Sequence, residues 1–571
     1  MHILIIDAGS QYTKIIDKKL RKININTIIG DNITPNTSGI IISGGPRSVY
    51  NSNIINCDIF NSNIPILGIC YGMQLINQYF GGTVTKSNIR EDGECKVELS
   101  TDNSIFSGLN NIENVLLTHG DSVDKLGDNL QVIGKSENHI SAIKHNKLDI
   151  FGLQFHPEVD ITENGLTILE NFAFHICKMD PVYTVDDCID NIIYEIRNKV
   201  GKKQVKVLLS GGVDSTVCYA LIHKALGPEK VTGIHINNGF LRMNESKIIY
   251  KLLKDIGFDI NVIDATDIFC NAKTFINNVE VGPLKDIKDP ELKRIIIGDT
   301  FMRIVEKYIG ENDIICQGTL RSDLIESASS YVSANADKIK THHNDSPIVR
   351  EKRELGLIIE PLKDFHKDEV KQIGYKLGLP NKLLNRHPFP GPGLAIRIIC
   401  NTENECKDNI LPVKSVGIQG DIRTYANPLY VHDDNDYTHY LQTNPDINRI
   451  VKILYPKNRL AKPLIIETNL SKSNIMLLQE IDEIVYSTLV EFDIYDKISQ
   501  IPVILLPITF DGVNRSIVIR PVITNDFMTG KVYKLDNNLL DILIRRIIGT
   551  GKISGVLYDM TSKPPGTIEW E

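Results

Sequence analysis

The stretch that decides the fold is "VKVLLSGGVDSTV", residues 205–217, in which an aliphatic run stops abruptly at Ser-Gly-Gly. A continuous apolar run of this length predicts a strand of a parallel sheet that is buried on both faces. Gly211 and Gly212 let the backbone approach a ligand closely, and a helix that begins at this turn directs its N-terminus at an anion. The loop lacks the Gly-Lys-Ser/Thr ending of a Walker A motif, so it predicts a phosphate site of another kind.

Hydroxyl groups and one carboxylate surround this turn. Ser210, Ser215 and Thr216 add hydroxyl donors beside the two glycines, and Val213 begins the predicted helix. Asp214 is either a helix cap or a partner of Mg²⁺ bound by phosphates. The motif resembles the PP-loop of the N-type ATP pyrophosphatases. This resemblance implies that the whole loop binds ATP, that ATP is split between its α and β phosphates, and that a substrate oxygen is adenylated.

Apolar strands alternate with helical stretches on both sides of this loop, which predicts an α/β fold. We expect two consecutive parallel-sheet α/β domains, residues 1–180 and 181–397, followed by a smaller α+β domain, residues 398–571. Ligands of parallel sheets bind beyond the carboxyl ends of the strands. The predicted strands of the first domain end in glycine, cysteine or histidine: "HILIID" (2–7), "GIIISGG" (39–45), "IPILGIC" (64–70) and "IFGLQFHPE" (150–158).

Composition excludes several classes of function. The 571 residues carry a net charge of −8 and are 42% hydrophobic, which argues against a large nucleic-acid surface. No apolar run reaches the ~20 residues that cross a bilayer, and the N-terminal segment does not resemble a signal peptide. The ten cysteines form no CxxC pair, so neither a zinc site nor a dithiol redox site is expected. We therefore expect a cytosolic protein that binds neither membrane nor nucleic acid.

A second chemical site is predicted at Cys70, which ends the strand in "ILGICYGMQ", residues 66–74. A nucleophile on a tight strand-to-helix turn is exposed, and a helix N-terminus favours its thiolate. The motif "LQFHPEV", residues 153–159, supplies His156 to take the thiol proton and Glu158 to hold the imidazole tautomer. The alternative is a core cysteine with a surface histidine, which does not explain why three reactive residue types share such glycine and proline contexts.

These two motifs resemble those of the class I glutamine amidotransferases, over about residues 1–178. The resemblance implies hydrolysis of glutamine to glutamate and ammonia through a cysteinyl thioester. It implies that the N–H groups of Gly45, in "ISGGPRSVY", and of Tyr71 stabilise the oxyanion, and that Gln74 helps to hold glutamine. A glutaminase fused to an adenylating domain can deliver ammonia to an activated carbon.

Further motifs decide between fused candidates. NAD synthetases carry a Cys-Lys-Glu glutaminase, whereas this chain has Cys-His-Glu. The segments "GTLRSDLIESAS" (318–329), "KTHHND" (340–345), "RHPFPGPGLAIR" (386–397) and "TSKPPGTIEWE" (561–571) resemble the glutamine-hydrolysing GMP synthetases over nearly the full chain. The implied ligands are glutamine, XMP, ATP and Mg²⁺. A PP-loop ligase of another carbonyl substrate, and a scaffold with a decayed glutaminase, are the rival hypotheses.

The same resemblance implies the nucleotide-binding residues. Those expected to bind XMP are Arg294, Asp421, Gln500, Lys563 and Glu569. Lys563 is expected to meet the phosphate, and Glu569 to fix a ribose or base donor or to orient the lysine.

A lid and a dimer are also expected. "KTHHND" and the segment that carries Lys363 are expected to form a lid over pyrophosphate, with Lys363 neutralising the leaving group, whereas His366 is expected on a helix surface. Asn237 departs from the Asp that the family usually has at this position, which puts one ATP contact in doubt. Because no large insertion separates "AIRIICNTENECKDN" from "LPVKSVG", we expect a homodimer formed through the C-terminal region.

Overall fold

The computed structural model describes residues 1–10, 12–45, 48–50, 55–137, 139–320, 352–353, 355–400, 409–419, 422–433, 435, 440–441, 444, 446–458, 462–524 and 530–571. The chain divides into two compact units. Unit 1 consists of Met1–Ile192, Thr319–His342 and Leu362–Ile373. Unit 2 consists of Ile193–Gly318, His343–Pro361 and Gly374–Glu571.

Unit 1 is built on a nine-stranded sheet. Its strands are β1 (His2–Ile6), β2 (Thr27–Ile29), β3 (Thr37–Ile42), β4 (Ile66–Ile69), β5 (Thr83–Leu99), β6 (Ile112–Lys125), β7 (Leu130–Lys135), β8 (Ile140–His145) and β9 (Ile150–Leu153). Their order is β2-β1-β3-β4-β9-β8-β7-β5-β6. The pairs from β2 to β9 are parallel and the pairs from β9 to β6 are antiparallel.

The helices of unit 1 cover the parallel part of this sheet. They are α1 (Thr13–Lys22), α2 (Tyr71–Tyr79), α3 (Gly165–Glu170) and the beginning of α4 (Val185–Val200), which continues into unit 2. Ile16 and Leu20 of α1 are fully buried, and burial of each such side chain contributes ~1.5–3 kcal/mol to folding. Since β1, β3, β4 and β9 are parallel neighbours, the residues that follow them meet at one edge of the sheet.

Unit 2 contains a five-stranded parallel sheet in the order β12-β11-β10-β15-β16. Its strands, with the hairpin β13-β14, are β10 (Val205–Leu208), β11 (Val231–Asn237), β12 (Ile260–Asp264), β13 (Thr274–Ile276), β14 (Val279–Val281), β15 (Ile314–Cys316) and β16 (Ile358–Ile359). The helices that accompany it are α5 (Val213–Leu226), α6 (Glu245–Asp255), α7 (Thr266–Cys270) and α8 (Pro290–Glu306). The predicted strand at 205 and the helix after its glycine turn are both present.

A second sheet of unit 2 has six strands in the order β17-β18-β19-β26-β23-β21. Its strands, with two small pairs, are β17 (Ser415–Gln419), β18 (Ile422–Val431), β19 (Ile447–Tyr455), β20 (Leu464–Ile465), β21 (Val503–Leu506), β22 (Ile508–Thr509), β23 (Arg515–Ile519), β24 (Val522–Ile523), β25 (Lys531–Val532) and β26 (Ile553–Asp559). The pairings across the sheet are antiparallel, parallel, antiparallel, parallel and antiparallel. This order of pairings is the same from either edge of the sheet. The two three-stranded halves, which meet at β19 and β26, therefore have the same pairing pattern.

Four further helices complete the described part of the chain: α9 (Lys367–Lys376), α10 (Asn381–Leu384), α11 (Lys472–Glu491) and α12 (Asn537–Ile548). Leu478 and Ile481 of α11 share one apolar core with Leu543 and Ile547 of α12. This helical layer encloses the second sheet on one side, which gives the α+β arrangement expected for this part of the chain. Among the described residues, no helix is long and apolar enough to cross a membrane.

His366 is one position where the sequence-based expectation is wrong. Its side chain is 8% exposed rather than on a helix surface, and its Nε2 lies 2.5 Å from Oδ2 of Asp17 in α1. Arg21, one turn further along α1, donates to the backbone carbonyl of Asp364 at 2.6 Å. The segment Leu362–Ile373 therefore belongs to unit 1 because polar side chains of α1 bind it, an association between distant parts of the chain that helical periodicity cannot reveal.

Candidate active sites

The thiol site is built where β4 turns into α2. Cys70 stands between these elements with φ 52° and ψ −103°, a strained conformation for a residue with a side chain. Strain of this kind is typical of a nucleophile elbow, in which a sharp turn presents the reactive atom above the edge of the sheet.

Cys70, His156 and Glu158 form one hydrogen-bonded group. Nδ1 of His156 lies 2.7 Å from Oε1 of Glu158, and both side chains are buried. The imidazole also hydrogen-bonds the side chain of Cys70. Burial alone lowers the pKa of His156, but the Glu158 carboxylate and the hydrogen bonds with Cys70 and Glu158 outweigh burial and raise that pKa. A protonated imidazole beside the sulfur stabilises the thiolate, which is the nucleophilic form of cysteine.

The residues predicted for the oxyanion and for glutamine flank this group. A Cβ atom on Gly45 would lie 2.5 Å from the carbonyl oxygen of Ala8, so only glycine fits there. Tyr71 is the first residue of α2, where backbone N–H groups point away from the helix. Gln74 is buried, and its Nε2 donates to the carbonyl of Asp121 at 2.8 Å. Tyr71 follows Cys70 directly, and Gly45 follows Gly44, whose added Cβ atom would lie 3.6 Å from Cβ of Cys70. The roles of Gly45, Tyr71 and Gln74 with substrate remain predictions.

Gln154 is a member of this site that the sequence reasoning missed. Its Nε2 lies 3.5 Å from Sγ of Cys70, its Oε1 accepts from Gln74 at 3.4 Å, and its side chain is fully buried. An amide donor at this distance favours negative charge on the sulfur. The signal was available, because Gln154 stands two positions before His156, and residues two apart on an extended chain share a face.

The PP-loop of unit 2 is a closed arrangement of hydroxyl and backbone groups. The hydroxyls of Ser210 and Ser215 lie 3.2 Å apart, and the N–H of Gly212 donates to Ser210 at 3.3 Å. The hydroxyls of Ser215 and Thr216 donate to the carbonyl of Gly212 at 3.2 and 2.9 Å. Asp214 and Val213 lie in the first turn of α5. The loop thus presents a helix N-terminus lined with hydroxyls, the arrangement that accepts a phosphate.

Gly211 has φ +84°, and a Cβ atom there would lie 2.1 Å from Cδ1 of Ile249 in α6. Its carbonyl accepts a 2.9 Å hydrogen bond from Arg386, whose other terminal nitrogen binds Glu245 at the start of α6. Arg386 comes from the "RHPFPGPGLAIR" segment, so this proline-rich loop supports the PP-loop backbone, a role that no local pattern indicates.

The residues predicted to bind XMP lie on three parts of unit 2. Arg294 of α8 donates to the backbone carbonyl of Glu571. Glu569 accepts two hydrogen bonds from Arg397, at 3.0 and 2.7 Å. Lys563 pairs through its backbone with Gly530, just before β25. The structure therefore brings Arg294 to the same terminal segment that carries Lys563 and Glu569.

Gln500 joins this arrangement through backbone pairing. It is bridged to Val522 at the start of β24, and β24 pairs with β25, which follows the residue that pairs with Lys563. Asp421 lies outside the described residues, as does the "KTHHND" segment. Lys363 is exposed and belongs to unit 1.

Asn237 ends β11 and shapes the turn that follows. Its Oδ1 accepts from the N–H of Gly239 at 3.1 Å, and its Nδ2 donates to Oδ1 of Asp264 at 3.3 Å, at the end of β12. The amide therefore binds a carboxylate that an aspartate at 237 would repel. Within the described residues, no group of three or more His, Cys, Asp or Glu side chains could hold a metal ion.

Three family models match the chain in succession: Glutamine amidotransferase class-I at residues 4–176, NAD synthase at residues 186–333 and GMP synthase C terminal domain at residues 487–570. The GMP synthase (glutamine-hydrolyzing) of Dictyostelium discoideum is 42% identical over an alignment that covers 100% of this chain and 94% of that protein. The chain belongs to the glutamine-hydrolysing GMP synthase family. A probable GMP synthase (glutamine-hydrolyzing) of Caenorhabditis elegans is 37% identical, with 100% of this chain and 92% of that protein covered.

Membership of the GMP synthase family confirms the predicted order of an amidotransferase, a PP-loop domain and a C-terminal domain. It also confirms the predicted class of enzyme and the use of ATP by the PP-loop part. The NAD synthase model matches residues 186–333, the middle region of the chain, and this region contains the PP-loop. The expected roles of individual residues are not decided by these matches.

Proposed function

We propose that the chain converts XMP, ATP, glutamine and water into GMP, AMP, pyrophosphate and glutamate. The observation that carries this proposal is the combination, in one chain, of a hydrogen-bonded Cys70–His156–Glu158 group and a PP-loop with its glycine turn. The first group generates ammonia, and the second activates the carbon that accepts it. The three successive family matches support the same division of labour.

In unit 1, the thiolate of Cys70 attacks the carboxamide carbon of glutamine. The N–H groups of Gly45 and Tyr71 bind the developing oxyanion, and protonated His156 gives its proton to the leaving ammonia. Water then hydrolyses the thioester, with the imidazole acting as general base. The Glu158 carboxylate, 2.7 Å from Nδ1 of His156, stabilises the imidazolium that forms.

In unit 2, the residues from Ser210 to Thr216 bind the phosphates of ATP. The oxygen on C2 of the purine of XMP attacks the α phosphorus, and pyrophosphate leaves. Ammonia then adds to C2 and AMP departs with the former carbonyl oxygen. Lys563 meets the phosphate of XMP, Glu569 fixes a ribose or base donor or orients the lysine, and Arg294, Asp421 and Gln500 belong to the same nucleotide site.

A magnesium ion fits this scheme through the phosphates rather than through a protein cage. Mg²⁺ keeps several waters and takes one or two carboxylates together with substrate phosphates. Asp214, in the first turn of α5, is the carboxylate that the PP-loop offers. When bound, the ion neutralises the charge that develops on the departing pyrophosphate.

The direct test follows XMP absorbance in the presence of ATP, Mg²⁺ and ammonia. We expect loss of XMP together with one AMP for each GMP formed. If AMP formation does not depend on XMP, the proposed acceptor is wrong, and a ligase of another carbonyl substrate is indicated.

We also propose three domains with boundaries at residues 180 and 397, a cytosolic location and a homodimer formed through the C-terminal region. Tyr486 and Val490, one turn apart on α11, are 43% and 46% exposed. Exposed apolar side chains grouped in this way favour a protein contact. Light scattering tests the dimer, because a mass equal to the 64.1 kDa of one chain excludes it.

A further inference from the structure

The terminal segment that carries Lys563 and Glu569 is fixed at several points. Trp570, which is fully buried, donates through Nε1 to Asp559 at 2.9 Å. Glu571 forms a fully buried ion pair with Lys293 of α8, with 2.6 Å between Nζ and Oε2. These contacts hold the residues directly after Glu569, so its backbone has little freedom.

Glu569 itself is held by Arg397. The guanidinium donates from Nε and Nη2 to the two carboxylate oxygens, the planar arrangement that fixes both the position and the orientation of a carboxylate. The side chain of Arg397 is 2% exposed and that of Glu569 is 19% exposed. The arginine is therefore out of reach of a ligand, whereas the carboxylate can still meet one.

Arg397 is in turn held from behind. Its Nη1 lies 4.0 Å from Asp482 of α11, and Asp482 lies 3.7 Å from Nε of Arg242. Both guanidinium groups contact the ring of Phe389, with their carbons 4.7 Å (Arg242) and 5.0 Å (Arg397) from the ring centroid. Burial lowers the pKa of Arg397, but the carboxylates of Glu569 and Asp482 raise it, so the guanidinium stays charged. Separating one member of a buried ion pair leaves an uncompensated charge in the interior, which destabilises the fold. These side chains therefore stay together as a rigid group.

The same group reaches the ATP loop. The backbone N–H of Arg242 donates to Oε2 of Glu245 at 3.0 Å. Glu245 binds Arg386, and Arg386 donates to the carbonyl of Gly211 at 2.9 Å. A continuous set of ionic contacts and hydrogen bonds thus runs from the PP-loop to the terminal segment, and all of its members belong to unit 2.

We propose that Arg397 is a positioning residue that orients the Glu569 carboxylate for the nucleotide substrate from a frame shared with the PP-loop. This inference rests on the proposed function, in which Glu569 binds XMP. Arg397 itself does not contact substrate. It acts by fixing one partly exposed carboxylate, so that XMP meets an acceptor that needs no rearrangement on binding.

Arg397→Lys tests this role, since lysine keeps the charge but cannot form two parallel hydrogen bonds. Synthesis is measured with ammonia at saturating ATP while XMP is varied. We expect KM for XMP to rise about tenfold and kcat to change less than about threefold, because substrate binding rather than folding or chemistry is affected. A KM within about twofold of the unaltered protein would overturn the proposal.

Arg546→Lys is the matched control. Arg546 also binds a glutamate through two nitrogens, at 2.7 and 3.1 Å to Glu491, but this pair is on the surface between α11 and α12. We expect its KM for XMP to stay within about twofold, since exposed pairs contribute little. An equal rise in both variants would also overturn the proposal.

Asp482→Asn decides the question if Arg397→Lys does not fold, as judged by thermal unfolding. It removes one charge behind Arg397 without changing side-chain size, and we expect KM for XMP to rise about threefold. An unchanged KM would then overturn the proposal. Failure of the proposed function is distinct, because in that case the unaltered protein does not consume XMP at all.

Discussion

The glutaminase site and the nucleotide site of this chain differ in how their reactive charges are arranged. In unit 1, sulfur, imidazole and carboxylate already contact one another in the order that catalysis requires. In unit 2, the charges predicted for XMP contact other protein groups, as Arg294 does with Glu571 and Glu569 does with Arg397. In the first site the side chains contact the nucleophile. In the second site the backbone of the PP-loop and the terminal segment hold the side chains in place.

This contrast follows from the chemistry of each half. A thiol becomes a nucleophile only when a base and an orienting group stand beside it, so the protein must build all three in advance. In adenylation the reacting charged groups are the phosphates of the substrates. The protein has to position them and to supply compensating charge. Independent sites of this kind can be damaged one at a time, and the following variants test that independence.

The largest expected effect separates the two sites completely. Cys70→Ala removes the nucleophile, so we expect glutamine-dependent synthesis to fall about a thousandfold or more. Ammonia-dependent synthesis should stay within about twofold, because unit 2 is unaltered. Cys57→Ala, at a half-buried cysteine outside the site, is the control and should leave both rates unchanged. Equal loss of both rates in Cys70→Ala would refute the two-site mechanism.

The converse variant is Gly211→Ala. Its Cβ atom would collide with Ile249 at a positive φ, so we expect ATP-dependent formation of AMP to fall about a hundredfold. Hydrolysis of glutamine by unit 1 should persist. Gly201→Ala is matched in backbone, with φ +58°, but has open space around the new atom, and it should keep AMP formation within about twofold. If both glycine variants lose AMP formation alike, backbone strain rather than the collision is responsible.

A pH profile sharpens the description of the thiol site. Because contacts with Glu158 and Cys70 raise the pKa of His156 above its ordinary value of 6.5, the imidazolium persists below the raised pKa and is lost as pH rises through it. In Glu158→Gln we expect kcat/KM for glutamine to fall about a hundredfold, and its basic limb to move to lower pH. Glu163→Gln, at a carboxylate that accepts a hydrogen bond from Asn114, should leave the limb in place. An unmoved limb in Glu158→Gln would contradict the role given to the carboxylate.

The smallest effect concerns the turn after β11. Asn237→Asp places a carboxylate 3.3 Å from that of Asp264, where the amide now donates a hydrogen bond. We expect KM for ATP to rise less than about threefold, and the rise to shrink at high salt because the exposed charges are screened. A rise that does not depend on salt would mean that the amide contacts ATP directly.

Local patterns were sufficient to predict the strand-to-helix turns that carry both loops. Cys70 and Gly211 each lie at the turn between an apolar strand and the helix that follows it. Gln154 could also have been found, because it lies in the same short motif as His156. Each of these turns is a short continuous segment, so its residue types determine its backbone conformation.

Contacts between distant segments that no motif links could not be predicted. Arg397 and Glu569 are 172 residues apart, and Arg386 supports a loop 175 residues before it. The sequence predicts a surface position for His366, whereas the side chain is buried against Asp17, because helical periodicity describes one helix and not what packs on it. The partners of a buried ionic side chain depend on the fold of the whole unit, which local sequence patterns do not reveal.

The six-stranded sheet has a consequence for the order in which the protein can form. Its central pair joins β19 to β26, and about 100 residues of chain separate these strands, so the cost of closing that loop must be met before the pair can form. The terminal segment begins where β26 ends, and Arg449 of β19 and Arg520 beyond β23 both bind Asp559 there. The binding surface for XMP therefore forms only after both halves of this sheet have paired. A nascent chain that lacks β26 does not have this surface.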